Sequence, residues 1–214
     1  MLLKIARSST VKCALAAIGG ICMTLSSTAN AQVTPIDTPD TPAANVFVEQ
    51  IGVGNSGTVT QSSNQQKIVV SQDGANNVLN ATQNDAGDHI AVISQDGDDN
   101  EADVTQSGNG QAIANLSQTG VDNVILLSQT DNGVLGTAAE IVQAGANNSI
   151  GLVQDGTDNQ ARLIQNGDNN TMTASQLNSG NRLEWVQDGS NLTDMSVEQT
   201  GGQTMFIIQS NTGG

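Results

Sequence analysis

Glutamine returns along this chain with a period of about eleven residues, and no local motif constrains the fold as strongly. The fifteen positions are Gln50, Gln61, Gln72, Gln83, Gln95, Gln106, Gln118, Gln129, Gln143, Gln154, Gln165, Gln176, Gln187, Gln199 and Gln209. Consecutive members are 11 or 12 residues apart, except for 14 between Gln129 and Gln143 and 10 between Gln199 and Gln209. A fixed period of this kind marks a stacked repeat architecture.

The residues before each glutamine keep the same phase. The second residue before it is apolar in every unit, from Val48 and Val59 through Trp185 to Val197 and Ile207. The fourth residue before it is never polar, as at Val46, Gly57, Ile68, Leu79 and Met205. The slots between are mostly polar, as at Thr60, Ser71, Thr82 and Ser94. Alternation with a period of two over five to seven residues predicts a half-buried strand. The three-and-four spacing of an amphipathic helix is absent.

After the glutamine the chain reads as a turn. Every second unit places glycine two residues on, at Gly52, Gly74, Gly97, Gly120, Gly145, Gly167 and Gly189. Asparagine follows at Asn55, Asn77, Asn100, Asn123, Asn148 and Asn170. Asn, Asp and Gly accept the backbone conformations that tight reversals demand. The full repeat is therefore two strands and two turns, about 22 residues, roughly seven times over. The predicted fold is all-β: a two-sheet β-solenoid of about seven coils, stacked ~4.8 Å apart. Inward glutamines and asparagines would form amide ladders, and small apolar residues a thin dry core between the sheets.

The pattern Gln-x-Gly-x-x-Asn-x-apolar-x-x-x-Gln resembles the repeat of curlins, the subunits of bacterial curli fibres. Gln50-Ile-Gly52 with Asn55, Gln72-Asp-Gly74 with Asn77, Gln95-Asp-Gly97 with Asn100, and Gln143-Ala-Gly145 with Asn148 carry it across residues 46–214. The family pattern usually begins with Ser six residues before the glutamine. Here that slot holds Gln66, His89, Ala112, Thr137, Asn159 and Asn181. The resemblance implies a structural subunit of an extracellular, pilus-like amyloid fibre, serving cell adhesion and biofilm matrix. It also implies self-association, a second curlin-type subunit, and an outer-membrane secretion channel with accessory proteins.

Residues 1–31 read as a secretory signal peptide: Lys4, Arg7 and Lys12 precede an apolar stretch, and Ala29-Asn-Ala31 is a small-x-small cleavage site. The apolar run is too short for a confident membrane span, so a secreted rather than membrane-spanning protein is expected. Both cysteines, Cys13 and Cys22, fall in this segment. Residues 32–45 contain Pro35, Pro39 and Pro42 and read as an extended leader. Beyond residue 31 remain three cations (Lys67, Arg162, Arg182) against 21 acidic residues, a net charge of −18. That balance opposes nucleic-acid binding, whose phosphates need a basic face.

No catalytic constellation is legible, no cofactor is implied, and no enzyme activity is expected. His89 is the only histidine, and it occupies an inward slot at a strand start. The acidic run Asp96, Asp98, Asp99, Glu101 and Asp103 lacks EF-hand spacing and reads as a solvated turn. A competing reading is a monomeric solenoid that presents a flat face to a surface ligand. An ice-binding face would need an outward threonine ladder, and the slots at Thr58, Asp103, Gly151, Arg162 and Thr173 do not make one. Three further expectations concern surfaces. Val142, Ile164, Val186 and Ile208 should form an exposed apolar stripe, a candidate lateral contact. Residues 130–137 should bulge as a loop. Both terminal coils should leave strand edges open, and turn acids such as Asp73, Asp96, Asp155 and Asp188 should line one edge.

Overall fold

A computed structural model describes residues 9–12, 26–27 and 45–211. The leader at 32–44 and most of the segment read as a signal peptide lie outside the described residues. Numbered in chain order, the strands begin with β1 (Ser9–Lys12) and β2 (Ser26–Ser27). Odd-numbered strands then form one sheet of eight: β3 (Asn45–Val53), β5 (Lys67–Ala75), β7 (Ile90–Asp98), β9 (Ala112–Val121), β11 (Thr137–Ala146), β13 (Gln160–Asn166), β15 (Arg182–Asp188) and β17 (Thr204–Ser210). Even-numbered strands form the facing sheet: β4 (Ser56–Gln61), β6 (Val78–Gln83), β8 (Glu101–Ser107), β10 (Val124–Thr130), β12 (Ser149–Asp155), β14 (Thr171–Leu177) and β16 (Met195–Thr200).

All pairings from β3 to β17 are parallel and in register, glutamine beside glutamine. The chain is thus a β-solenoid of about seven coils. The alternation read from the sequence sets which side chains enter the core. Each coil contributes inward pairs such as Ile68 and Val70 from one sheet and Leu79 and Ala81 from the other, all buried. The core is one side chain deep from each sheet, so it is filled by small and branched residues, with Trp185 as its largest member. At about 25 cal/mol per Å² of apolar area, burial favours the coil, but each coil relies on its neighbours to cover its strand edges.

The structure adds one feature at the N-terminal end. β1 pairs in parallel with β4, Val11 beside Gly57, and β2 pairs antiparallel with β1. The edge of β4 is therefore covered in the chain that retains residues 9–12, whereas the ends expected to be open were residues 46–50 in β3 and 205–209 in β17. Among the described residues no strand covers the outer edges of β3, β16 and β17. Two expectations need correction. Asp73 and Asp96 are in-register neighbours, with Asp188 farther along the same sheet, but Asp155 ends β12 in the even sheet. The acids divide between two edges because consecutive units alternate sheets. Thr60, Thr82 and Thr105 do stack in register on the outer face of the even sheet, followed by Ser128 and Val153. That ladder is three threonines long and ends there.

The three extra residues between Gln129 and Gln143 leave the ladders intact, since Gln118 still pairs with Gln143. The excess is expelled at residues 130–137, where Val134 is wholly exposed and Leu135 mostly so. Insertions outside a ladder cost little. Limited proteolysis of the folded chain should cut first within 130–137; a first cut inside another coil would contradict this placement.

Candidate functional site

The polar interior is built from three columns of side chains, and each begins with a local backbone requirement. The glutamines end their strands facing inward, and all are buried except Gln50 and Gln209 in the two end strands, which are half-buried. In the odd sheet each amide Nε2 donates to the Oε1 of the next, from Gln50 through Gln72, Gln95, Gln118, Gln143, Gln165 and Gln187 to Gln209. In the even sheet the same chain runs from Gln61 through Gln83, Gln106, Gln129, Gln154 and Gln176 to Gln199. The central bonds are 2.7–3.0 Å long. The second Nε2 proton turns to a backbone carbonyl at the turn: Gln118 donates to Glu101 at 3.0 Å and to Asn123 at 2.8 Å. One side chain thus links its own sheet, the facing sheet and the turn.

The asparagine column lines the turn after the odd strands. Asn100 donates from its backbone N–H and from Nδ2 to Oδ1 of Asn77, both at 3.1 Å, and Asn123 does the same to Asn100. The column runs Asn55, Asn77, Asn100, Asn123, Asn148, Asn170. Each Nδ2 also donates to the carbonyl of a turn glycine in the next coil, as Asn123 does to Gly145 at 2.9 Å. Those carbonyls point inward because the glycines hold positive φ, +117° at Gly120 and +121° at Gly145. A Cβ on Gly120 would collide with the Gly145 carbonyl oxygen. Just after them Asn76, Asp99, Asp122, Asn147 and Asn169 take φ of 56–57°, a conformation that short polar side chains tolerate.

The opposite turns are irregular. The slot six residues before each odd-sheet glutamine holds Gln66, His89, Ala112, Thr137, Asn159 and Asn181, all buried. Gln66 accepts from the backbone of Ser62 and Ser63 and donates to Asn84 and Asp85. Thr137 donates to Gly156. Asn181 donates to Asn159 from backbone and side chain, a second asparagine ladder that the sequence reading missed. Its signal was present: Asn55 also lies six residues before a glutamine. His89 donates from Nε2 to the Asn84 carbonyl at 3.1 Å, and its Nδ1 is buried without a partner. Burial pushes this imidazole below its ordinary pKa of 6.5, against the pull of the Asn84 and Gly108 carbonyls and the Asp85 and Asp131 carboxylates. It is neutral at pH 7, a structural member of the column.

On the outer face of the odd sheet, Val142, Ile164, Val186 and Ile208 stand in one in-register column. The first three are half-buried and Ile208 is exposed. Beside them Arg162 bridges Glu140 at 3.2 Å and Glu184 at 3.0 Å. All three side chains are close to half exposed, so these pairs add little stability. The acidic run stays dispersed: Asp98 accepts from the Ala75 N–H, and Glu101 and Asp103 face outward from β8.

Residues 139–177 match the family model of the curlin associated repeat. This segment is similar to the curlin repeat. The matched segment spans two coils, from the inward Ala139 of β11 to the end of β14, and the same register continues through every coil on either side. No curated protein and no solved structure matches the chain. The curlin repeat belongs to a structural, non-enzymatic family.

Gly120→Ala should destabilise the coils by about 3 kcal/mol or more, because it adds a carbonyl clash to a strained backbone. Gly151→Ala, outward in β12 with open space around its Cβ position, should be nearly neutral. Denaturant melts of the two variants separate these outcomes. Equal effects would refute the role given to the glycine column.

Proposed function

We propose that this chain is a structural subunit of an extracellular curli-type amyloid fibre that serves adhesion and biofilm matrix. The observation that carries the reading is the pair of unbroken glutamine ladders running parallel to the stacking axis. Each coil satisfies its neighbour through in-register amides, and nothing in the chemistry distinguishes a neighbour in the same chain from one in another copy. Stacked, in-register parallel strands with amide ladders and a dry core are the arrangement of cross-β fibres. The curlin repeat supports the same reading. Export fits it too, through removal of residues 1–31, passage through an outer-membrane channel with accessory proteins, and a second curlin-type subunit. The fibre then lies at the bacterial cell surface.

The net charge of −18 beyond residue 31 makes assembly a contest between core stacking and surface repulsion. Repulsion between exposed carboxylates is screened by salt and removed by protonation. The exported chain should form self-seeding, dye-binding fibres with ~4.7 Å diffraction along the axis, faster at acidic pH or higher salt. A chain that stays monomeric for days at high concentration would refute the fibre reading. Equal lag times at low and neutral pH would refute the electrostatic part alone.

The apolar column on the odd sheet is the lateral surface of this fibre in our reading. Replacing Val142, Ile164 and Val186 with threonine keeps β-branching and removes apolar area. Fibres of this variant should elongate normally and bundle less in electron micrographs; unchanged bundling would show the column to be plain strand propensity.

A further inference from the structure

Among the described residues, the last strand, β17, stands half-way round a coil. The odd sheet has eight strands, β3 to β17, and the even sheet has seven between β4 and β16. The described residues from β3 to β17 therefore comprise seven and a half coils. Among the described residues no even-sheet strand faces β17, and its inward Met205 is more than a third exposed. If copies stacked without rotation, β3 of the next copy would sit on β17, and the even sheet would lack one strand at every junction.

We infer that successive copies in the fibre are related by about a half turn around the fibre axis, so that the odd sheet of each copy continues the even sheet of the one before. This deepens the fibre reading and rests on it. It also applies to the chain without its first 31 residues, since β1 otherwise occupies the β4 edge.

Three observations converge on it. First, the half turn closes both sheets. β3 of the next copy fills the empty position above β16, and its β4 lies above β17. Second, the inward chemistry then matches slot by slot. Val46, Val48 and Gln50 come to lie on Met195, Val197 and Gln199. Gly57, Val59 and Gln61 come to lie on Met205, Ile207 and Gln209. The Oε1 of Gln61 has no hydrogen-bond partner within the chain, and it faces the lower edge of β4 that β1 vacates when residues 1–31 are removed. Every later glutamine of that column accepts from the one below, as Gln83 does from Gln61. With a half turn Gln209 of the preceding copy supplies that donor; without rotation Gln61 faces the vacant position. Third, the asparagine ladders change sides along the chain. Near the N-terminal end they line the turn after the odd strands, at Asn55 and Asn77. There the ladder ends at Asn170, whose Oδ1 accepts from Leu192 rather than from another asparagine. Near the C-terminal end a ladder lines the opposite turn, at Asn159 and Asn181, with Gln203 above it. A half turn sets Asn55 and Asn77 of the next copy on that second column. Each copy then advances the fibre by about 36 Å at ~4.8 Å per coil.

Thiol cross-linking distinguishes the two junctions with one reporter. The chain without residues 1–31 contains no cysteine, and it is assembled as equal mixtures of two single-cysteine variants. The half turn places Ile208 of one copy beside Thr60 of the next; unrotated stacking places it beside Glu49. All three positions face outward, so the core is untouched. With a short bis-thiol reagent, fibres of I208C with T60C should give several-fold more cross-linked dimer than fibres of I208C with E49C. The reverse ratio, or no dimer from either mixture, would overturn the half turn and leave the fibre reading standing. Fibres whose subunits retain residues 9–12, read by mass, would also overturn it. Absence of fibres from the unsubstituted chain would instead sink the fibre reading and this junction with it.

Discussion

A buried primary amide carries two donor protons and one acceptor oxygen, and leaving any of them unpaired costs on the order of 1–3 kcal/mol. The rest of this structure follows from meeting that demand fifteen times. A glutamine at the end of an inward-facing strand satisfies itself only if another glutamine sits directly above it. That requirement fixes parallel pairing, register and coil length together. A slip by one residue would turn every glutamine outward and every Thr or Ser inward. The thirteen glutamine-to-glutamine bonds of the two columns are each modest in net energy. Their weight lies in specificity, because every alternative register breaks them all at once.

The turns are subordinate to the same ladder. Glycine at +2 lets the chain reverse with its carbonyl pointing inward, where the asparagine column can donate to it. The side without that glycine in every unit solves the reversal case by case, with Gln66, His89, Thr137 or Asn159, and its geometry is correspondingly uneven. This is also where the extra residues 130–137 are accommodated. Surplus chain can leave at a turn without disturbing the amides on either side of it.

A structure whose interior is satisfied only by repetition is unsatisfied at its ends. Gln61 has no donor below it, Met205 is incompletely covered, and the two sheets stop at different heights. Covering these ends takes more of the same repeat, which another copy can supply. The acidic surface acts in the opposite sense, since stacking brings like charges closer at short range. Growth is therefore governed by a specific, short-range attraction along the axis and a diffuse, salt-sensitive repulsion around it.

The alternation of apolar and polar residues, the glutamine period and the turn glycines were legible in the sequence because each depends on neighbours a few residues apart. Inward and outward faces, two sheets and about seven coils followed directly. The second asparagine ladder was missed because Asn159 and Asn181 stand among His89, Ala112 and Thr137, and only stacking shows which of those share a column. The division of the acids between two edges and the short run of Thr60, Thr82 and Thr105 were hidden for the same reason. Their partners lie some 22 residues away, beyond any local pattern. The odd count of fifteen glutamines was in the sequence, but its consequence was not. Only the tertiary structure shows that the surplus strand falls in one sheet and that Gln61 lacks a partner. A sequence period determines how one coil is made, whereas the ends of a stack are defined by what is absent above and below them.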